Sequence, residues 1–348
     1  MGAEVLRLDS EDPRWGTWVE QCRHDFYHWP RYAALEATRL GGTAVAYVFV
    51  DGDDVALMPL VVRPVPGHPD WTDGVSPYGY SGPVFSRADP ALGARAIGAI
   101  VARMREHGLC AAYVRTHMLL HQPLAAMREF GRVVAHAQTA WIDLTRPDED
   151  QWADYRAVHR NLVRRARRSG FTAVIDPDWA RFEEFYEVYA QTMEALGARW
   201  SGFARDYLWG LRRALGPAVS LCLVDRDGRA AAGGVFAECD GIVQYHFSGT
   251  ASAERQHSPS RLMIDHVRQW AALRGHRALH LGGGVGGRDD ALFRFKRGFS
   301  RQRAMVHTWH VVLASERYDA LVHEWEERSG CSAAEVSDFF PVYRKGVG

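Results

Sequence analysis

Residues 219–249 read VSLCLVDRDGRAAAGGVFAECDGIVQYHFSG, and this stretch decides the fold. It contains three β-rich runs, which are Val219–Val224, Ala230–Glu238 and Ile242–Gly249. A turn at Asp227-Gly228 joins the first two runs, so the segment predicts an antiparallel meander. Helical spacing over Pro259–Leu273 and a short apolar run at Ala278–Leu281 then predict a strand–helix–strand unit.

The first half of the chain repeats this order of elements. Thr43–Val50 and Val55–Val62 are β-rich and are joined by the hairpin signal Asp51–Asp54. Helical spacing follows over Ala91–His107, and a strand is predicted at Ala111–Arg115. This order is that of the N-acetyltransferase (GNAT) fold, so we expect an α/β protein (α+β mixed sheets) with two tandem GNAT-like acyltransferase domains.

The domain boundaries follow from a basic helix in the middle of the chain. Pro147 and Asp148 favour a helix start, Gly170 favours its end, and an apolar stripe runs between them along Tyr155, Val158, Leu162 and Ala166. We therefore predict one helix over Asp148–Ser169. The expected divisions are 1–147 for the N-terminal domain, 148–170 for the connecting helix, 171–315 for the C-terminal domain and 316–348 for a C-terminal helix and tail.

Composition excludes several classes of protein. The 348 residues are 47% hydrophobic and 24% charged, which is typical of globular proteins. Lys+Arg and Asp+Glu are both 42, so no overall positive field favours nucleic acid and any polyanion needs a local patch. No apolar run approaches the roughly 20 residues of a membrane span. With no CxxC among five cysteines and no secretory signal, we expect a reduced, cytoplasmic protein.

Basic residues stand out in two places. Five arginines fall within Arg160–Arg168, and this positive charge indicates either a phosphate ligand or acidic partners elsewhere in the fold. The candidate phosphate contacts are Arg160, Arg164, Arg167, Arg168 and, further on, Arg261. Only two of the 42 basic residues are lysines, Lys296 and Lys345, so an interior lysine is conspicuous.

Two loops qualify as ligand loops. Gly282–Gly287 reads GGGVGG, but it lies too late in the chain to be a dinucleotide-binding loop. It is either a loop whose backbone amides face a ligand or a structural turn. Glu254–Arg261 stands where acetyltransferases hold the CoA pyrophosphate, yet it has no glycine and includes Pro259. Ser258 and Ser260 are expected to cap the following helix. The histidine spacing matches no metal motif, so we predict no metal site.

The segment Phe293–Phe299, FRFKRGF, places Lys296 among aromatic residues. In one interpretation the phenylalanines lie in the core and Lys296 extends to solvent. In the other, rigid aromatic side chains place the cation beside the glycine loop.

These motifs together resemble the FemAB-like family. The matches are DFYHWPRY at Asp25–Tyr32, SPYGYSGP at Ser76–Pro83, HRNLVRRARRSG at His159–Gly170, HSPSRLMIDHVRQWA at His257–Ala271, LGGGVGG at Leu281–Gly287, and FRFKRGF. The family consists of peptide-bond-forming aminoacyltransferases with two acetyltransferase-like domains. The resemblance implies that an amino acid is transferred from aminoacyl-tRNA to a small-molecule or peptide amine acceptor, in a natural-product or cell-wall pathway, without any cofactor.

The resemblance also implies roles for individual residues. Lys296 is expected to be catalytic by stabilising charge on the substrates, because aminolysis of an activated ester needs orientation and an oxyanion site rather than a metal. Expected substrate contacts are Tyr27, Tyr32, Tyr78, Tyr80, Tyr245, Gly283, Gly284, Phe295 and Phe299. For Tyr78, Tyr80 and Tyr245 the alternative is a packed core tyrosine.

Two other functions remain open at this point. One is an acyl-CoA-dependent N-acyltransferase of the GNAT superfamily, with acetyl-CoA or another acyl-CoA as co-substrate. The other is a non-enzymatic ligand-binding or scaffold protein, in which replacement of Lys296 by alanine leaves the biological output intact.

Overall fold

The structure is a computed structural model that describes residues 2–197, 203–336 and 339–346. Its strands, in chain order, are β1 (Glu4–Asp9), β2 (Thr43–Asp51), β3 (Asp54–Val65), β4 (His68–Val75), β5 (Val84–Phe85), β6 (Leu109–Arg115), β7 (Arg132–Asp143), β8 (Thr172–Asp176), β9 (Val219–Arg226), β10 (Arg229–Cys239), β11 (Ile242–Thr250), β12 (Ala278–Gly282) and β13 (Arg303–Val312).

The α-helices connect these strands, and the last helix follows β13. In chain order they are α1 (Pro13–Glu20), α2 (Pro30–Leu40), α3 (Pro90–Glu106), α4 (Leu124–Phe130), α5 (Asp148–Asp154), α6 (Ala157–Arg168), α7 (Phe182–Leu196), α8 (Arg205–Leu215), α9 (Ser260–Leu273), α10 (Ala291–Lys296) and α11 (Ser315–Ser329).

The chain divides into two compact units. The first comprises residues 1–136 and 306–348, and the second comprises residues 137–305. These bounds differ from the predicted divisions at 147, 170 and 315. Strand β7 pairs with β12 of the second unit through Ala140–Asp143, which places the end of β7 in that unit. Strand β13 pairs with β6, so the chain after residue 305 belongs to the first unit.

The first unit contains a sheet in the order β1-β2-β3-β4-β6-β13, with β5 paired to β3. The burial of strand β2 on both faces explains its continuously apolar sequence. Val45, Tyr47 and Phe49 enter one hydrophobic core, while Ala44, Ala46 and Val48 enter another on the opposite face. Successive side chains of a strand point to opposite faces, so a strand buried on both sides reads as an unbroken apolar run.

The second unit contains a sheet in the order β7-β12-β11-β10-β9-β8. The meander predicted over residues 219–249 is present as β9, β10 and β11, paired antiparallel. Helix α9 then leads to β12, which pairs with β11 in parallel. The predicted mixed α/β fold and the strand–helix–strand unit are therefore confirmed.

The predicted single helix over Asp148–Ser169 is wrong, because it is interrupted between α5 and α6. Tyr155 is extended (φ −62°, ψ 138°), and its ring packs into the core at 5.1 Å from the Phe299 ring. The backbone N–H of Arg156 donates to the carbonyl of Gly298 instead of continuing the helix. The buried face of α6 consists of His159, Val163 and Ala166. Val158, which the predicted apolar stripe included, is therefore exposed.

Several elements of the first unit lacked a strong periodic pattern, among them β1, α1, α2 and β4. Residues at the start of the helix mark two of these elements. Asp12 caps α1 ahead of Pro13, and Trp29 precedes Pro30 at the start of α2.

Candidate active site

The site in the second unit forms where two parallel strands part. β11 and β12 are paired only at Ile242–Gln244 against Ala278–His280. Beyond that point β11 continues along β10 to Thr250, while β12 continues along β7 to Gly282. The carboxyl ends of diverging parallel strands form a cleft where ligands bind in α/β proteins, and Tyr245 and the glycine loop border it.

Lys296 faces these strand ends from the last residue of α10. Its Nζ donates a hydrogen bond to the carbonyl of Gly283 at 3.0 Å and lies 5.8 Å from the centroid of the Tyr245 ring. Burial lowers its pKa to about 8, against a smaller opposing effect of the Asp290 carboxylate. The outward-pointing lysine of the first interpretation is therefore wrong, and the cation lies beside the glycine loop.

Asp290 fixes both the loop and the helix that carry this contact. One of its carboxylate oxygens accepts from Val285 N–H and the other from Phe293 N–H, each at 2.9 Å. Burial raises the pKa of Asp290, but these backbone hydrogen bonds outweigh it and leave the pKa lowered. The loop also needs Gly284, since a Cβ there would lie 2.0 Å from the Arg288 carbonyl oxygen. The N-cap position before an amphipathic turn was the sequence signal for Asp290.

The other end of α10 rests on a buried histidine that sequence reasoning did not single out. His159 of α6 bonds through Nε2 to the Phe295 carbonyl at 3.0 Å. Its ring occupies the space that a side chain at residue 298 would need, because a Cβ on Gly298 would lie 2.3 Å from Nε2. Burial lowers the pKa of His159 to about 4, so the ring is neutral at neutral pH. The glycine of FRFKRGF thus permits α6 and α10 to pack closely.

The aromatic residues of this segment divide into two groups. Phe293 and Phe299 are buried in the core, where Phe299 packs, and a substrate contact at Phe299 stays a prediction. Phe295 is only partly buried, and the Arg261 guanidinium lies over its ring at 5.1 Å. Tyr245 is also partly buried; its hydroxyl donates to Ser248 Oγ at 2.5 Å, and burial raises its pKa to about 12.

The structure distributes the arginines of α6 among different roles. Arg167 pairs with the buried Asp265 at 2.7 Å, so an acidic partner does offset part of the charge. Arg160 turns back onto the carbonyls of Ala153 and Tyr155. Arg164 stacks on Trp152 at 5.5 Å and, like Arg168, is exposed.

The turn before α9 does not have the form of a CoA pyrophosphate cradle. Residues Ser252–His257 form a 3₁₀ helix that includes Glu254, whose carboxylate pairs with Arg226 at 2.7 Å. The N–H of Arg261 donates to the Ser258 carbonyl. The expected serine capping is wrong: Pro259 occupies the N-cap position, and Ser260 bonds to Thr250 Oγ1 at 2.6 Å.

The remaining predicted tyrosines lie in the first unit. Tyr27 and Tyr32 are buried, and the Tyr32 hydroxyl donates to the Tyr78 carbonyl at 2.9 Å. Gly79, at φ +97°, lies so close to Tyr27 that any Cβ would overlap its ring. Tyr78 and Tyr80 are partly buried, and burial raises the pKa of both hydroxyls. Tyr27 and Tyr32 therefore pack the SPYGY loop onto its own unit.

The arrangement around Lys296 is suited to stabilising negative charge. A lysine ammonium has three N–H donors, and one of them is used on Gly283. Three loop amides are already bonded within the segment, Val285 to Asp290, Gly287 to Gly284 and Arg288 to Val285. Lys296 has two further N–H groups that can donate to a negatively charged oxygen. Within residues 2–197, 203–336 and 339–346, no cluster of three potential metal-ligating side chains is present.

Comparison with known proteins supports the fold. Residues 153–297 match a family model described as an acetyltransferase (GNAT) domain. The structure of FemX superimposes with a TM-score of 0.68 at 14% identity, covering 91% of this chain and 99% of that one. The C-terminal domain of a putative lysylphosphatidylglycerol synthetase from Agrobacterium fabrum gives a TM-score of 0.54 at 15% identity, covering 89% of this chain and 95% of that one.

A third structure, L-PGS from Bacillus licheniformis, also gives 0.54 at 15% identity, with 86% and 92% covered. No curated protein matches the chain. At these identities the structural likeness concerns the fold. No helix within the described ranges is long and apolar enough to cross a membrane. The chain therefore has a mixed α/β fold with a GNAT-type acetyltransferase domain over residues 153–297, which supports a transferase of the acyltransferase class.

Proposed function

We propose that this acyltransferase forms an amide by transferring an aminoacyl group from aminoacyl-tRNA to an amine acceptor. The observation that carries the proposal is the Lys296 ammonium, which Gly283 and Tyr245 hold at the diverging ends of β11 and β12. An aminoacyl ester is already activated, so its aminolysis needs orientation and charge stabilisation rather than a metal or a covalent intermediate.

In the proposed reaction the neutral acceptor amine attacks the ester carbonyl. A C–N bond forms, and the negative charge that develops on the carbonyl oxygen is stabilised by the two N–H groups of Lys296 that Gly283 does not use. Collapse of the tetrahedral species breaks the ester C–O bond, and the leaving ribose oxygen takes up, by way of solvent, the proton that the amine loses. Loss of one such donor typically lowers kcat about 10²–10³-fold.

The turn between β11 and α9 favours a tRNA ester over an acyl-CoA. A CoA pyrophosphate is usually held by glycine-rich backbone amides at this helix N-terminus. Here the turn contains Pro259 and the carboxylate of Glu254, and the Arg261 amide is internally bonded. The exposed Arg164 and Arg168 of α6 are the candidate contacts to RNA phosphates.

The direct test is an acyl-transfer assay with tRNA charged with labelled amino acids and a set of amine acceptors. We expect amide product that depends on charged tRNA and falls at least about 10²-fold in Lys296→Ala. Product formed from acetyl-CoA but never from charged tRNA would establish the acyl-CoA alternative instead. Lys296→Ala retaining wild-type turnover would remove the lysine from the mechanism.

The RNA contact has its own test. Replacing Arg164 and Arg168 together by alanine is expected to weaken tRNA binding and to lower the slope of log K against log salt by about 0.7–0.9 per phosphate contact. Arg229→Ala, which removes an exposed arginine from β10, is the matched control. An unchanged affinity and salt slope in the double variant would contradict a role for α6 in tRNA binding.

A further inference from the structure

A cavity of about 350 Å³ lies in the second unit, beside the interruption between α5 and α6 and the segment that follows α10. Its walls include the arginines Arg156, Arg160, Arg297, Arg301 and Arg303, together with the carboxylate of Asp154. We call this cavity the arginine pocket. Its volume is at the lower end of the range of about 300–1,000 Å³ found for small-molecule sites.

Backbone carbonyls hold two of these guanidinium groups. Arg160 donates to the carbonyls of Ala153 and Tyr155. Arg303 donates to the carbonyls of Ser300 at 2.9 Å and Arg297 at 3.1 Å. A neutral carbonyl orients a guanidinium without cancelling its charge. Both groups therefore keep their full positive charge at the pocket.

Carboxylates neutralise only part of the remaining charge. Asp154 is shared, with Oδ2 at 2.6 Å from Arg146 Nη1 and Oδ1 at 3.3 Å from Arg301 Nε. Arg297 pairs through Nη1 with Asp289 at 3.2 Å, while its buried Nε has no hydrogen-bond partner within the described part of the chain. Arg156 forms no ion pair with a described carboxylate. The pocket thus has an excess of positive charge.

This excess affects the arginines themselves. Burial lowers the pKa of Arg303, and the positive charges of Arg297 and Arg156 lower it further. Like charges brought together in a partly buried site repel one another, and the repulsion is relieved when an anion binds between them. Guanidinium groups match the geometry of phosphate oxygens through paired hydrogen bonds.

We propose that the arginine pocket binds phosphate groups of the acyl donor. The proposal rests on the proposed transfer reaction for the identity of that donor. Arg297 directly follows Lys296 at the end of α10, so the phosphate pocket and the reactive ammonium are built on adjacent residues. The phosphate chemistry is shared by a tRNA acceptor end and by the diphosphate of a CoA thioester, and competition distinguishes these two sources.

The first experiment titrates inorganic pyrophosphate into the full-length protein by calorimetry at low, fixed ionic strength. The test variant combines Arg156→Gln with Arg301→Gln, because both side chains are exposed and their replacement leaves the core intact. We expect binding to be weakened roughly 10-fold or more per arginine, with Arg229→Gln, which removes one exposed positive charge from β10, as the control for each single change. Equal affinity in the double variant, or no binding by the wild type, would overturn the proposal.

The second experiment displaces bound pyrophosphate with either an RNA hairpin ending in CCA or free CoA. Displacement by the RNA alone supports a tRNA donor held through this pocket. Displacement by CoA supports the pocket but overturns the tRNA donor, and displacement by neither overturns the assignment to an acyl donor. Lys296→Ala is expected to lower transfer at least about 10²-fold and to leave pyrophosphate affinity unchanged, which separates failure of the pocket from failure of the proposed reaction.

Discussion

The burial of Lys296 affects the charge that the proposed reaction uses. Burial lowers its pKa to about 8, so the ammonium predominates at neutral pH and titrates near the upper end of the physiological range. A lysine in this position can lose its proton as the pH rises, whereas an arginine stays protonated in proteins. The pKa therefore gives both a pH dependence and a stability effect to measure.

The ratio of kcat/KM between the wild type and Lys296→Arg is expected to fall as pH rises through about 8. The wild-type cation is lost across that range, while arginine remains charged. Ionisation of the acceptor amine affects both proteins equally and cancels in the ratio. The measurement is a paired pH–rate profile from pH 6.5 to 9.5 with one acceptor. A ratio that does not change with pH would mean that the lysine charge is not used.

Lys296→Met is expected to stabilise the fold at pH 7 while impairing transfer. A lysine with a folded-state pKa below its unfolded value binds fewer protons when folded, so the wild type gains stability as pH rises from about 8 toward 10. Removing the charge should raise the free energy of unfolding at pH 7 by about 1–3 kcal/mol, since the partial exposure of the side chain reduces the effect. Urea unfolding at pH 7 and pH 10 tests this, and the gain should shrink at pH 10.

At the scale of elements, three contacts position α10. Asp290 joins its first turn to the glycine loop, Gly284 lets that loop close, and His159 supports its last turn. Each contact joins segments that are distant in sequence or tightly turned. A small change of side-chain volume at any of them should therefore have a large effect on the position of α10.

Gly284→Ala is expected to reduce kcat strongly, because its Cβ would meet the Arg288 carbonyl and the Asp290 carboxylate. The loop must shift, and the Gly283 carbonyl that accepts from Lys296 shifts with it. Gly16→Ala is the matched control: Gly16 lies in α1 with open space around it, and the change should stabilise that helix by about 0.5–1 kcal/mol. Steady-state kinetics and thermal unfolding of both variants provide the comparison. Wild-type kcat in Gly284→Ala would show that loop geometry does not matter for transfer.

His159 and Gly298 are expected to be energetically coupled. Gly298→Ala should destabilise the second unit, because the added methyl group overlaps the His159 ring. His159→Ala removes that ring, so the double variant should recover part of the loss instead of adding to it. A double-mutant cycle measured by urea unfolding tests this coupling. Strict additivity of the two changes would contradict the close packing of α6 on α10.

At the scale of the whole molecule, the chain end is part of the first unit. Leu321 and Trp325 of α11 share a hydrophobic cluster with Val65 and Cys110. The buried carboxylate of Asp73 pairs with Arg63 at 2.9 Å and with Arg344 near the chain end, and it accepts from the Tyr343 hydroxyl at 3.0 Å. The residues after β13 therefore complete a unit that begins at the N-terminus.

Asp73→Asn is expected to destabilise the first unit by about 3–5 kcal/mol, because it leaves buried arginine charge without its partner. It should also make residues after 315 more sensitive to proteolysis. Asp53→Asn, on the exposed turn before β3, removes the same charge without these contacts and is the control. Thermal unfolding and limited proteolysis are the measurements, and equal stability of the two variants would contradict the anchoring role of Asp73.

The sequence by itself determined the elements whose signals are local. The β-rich runs of β2 and β3, the Asp227-Gly228 turn and the helical spacing of α9 were sufficient to predict the tandem mixed α/β fold. The rarity of lysine also singled out Lys296. Such features depend on neighbours within a few residues, which a pattern records directly.

Only the tertiary structure decided where the side chains of the site point. The interruption at Tyr155 arises because its ring packs on Phe299, more than 100 residues away, and that contact outweighs the helical preference of the segment. The distant Asp265 likewise pairs with Arg167 of α6, a contact that the local pattern of arginines does not encode. The arginine pocket required residues from α6 and from beyond α10 to meet, which no local periodicity encodes.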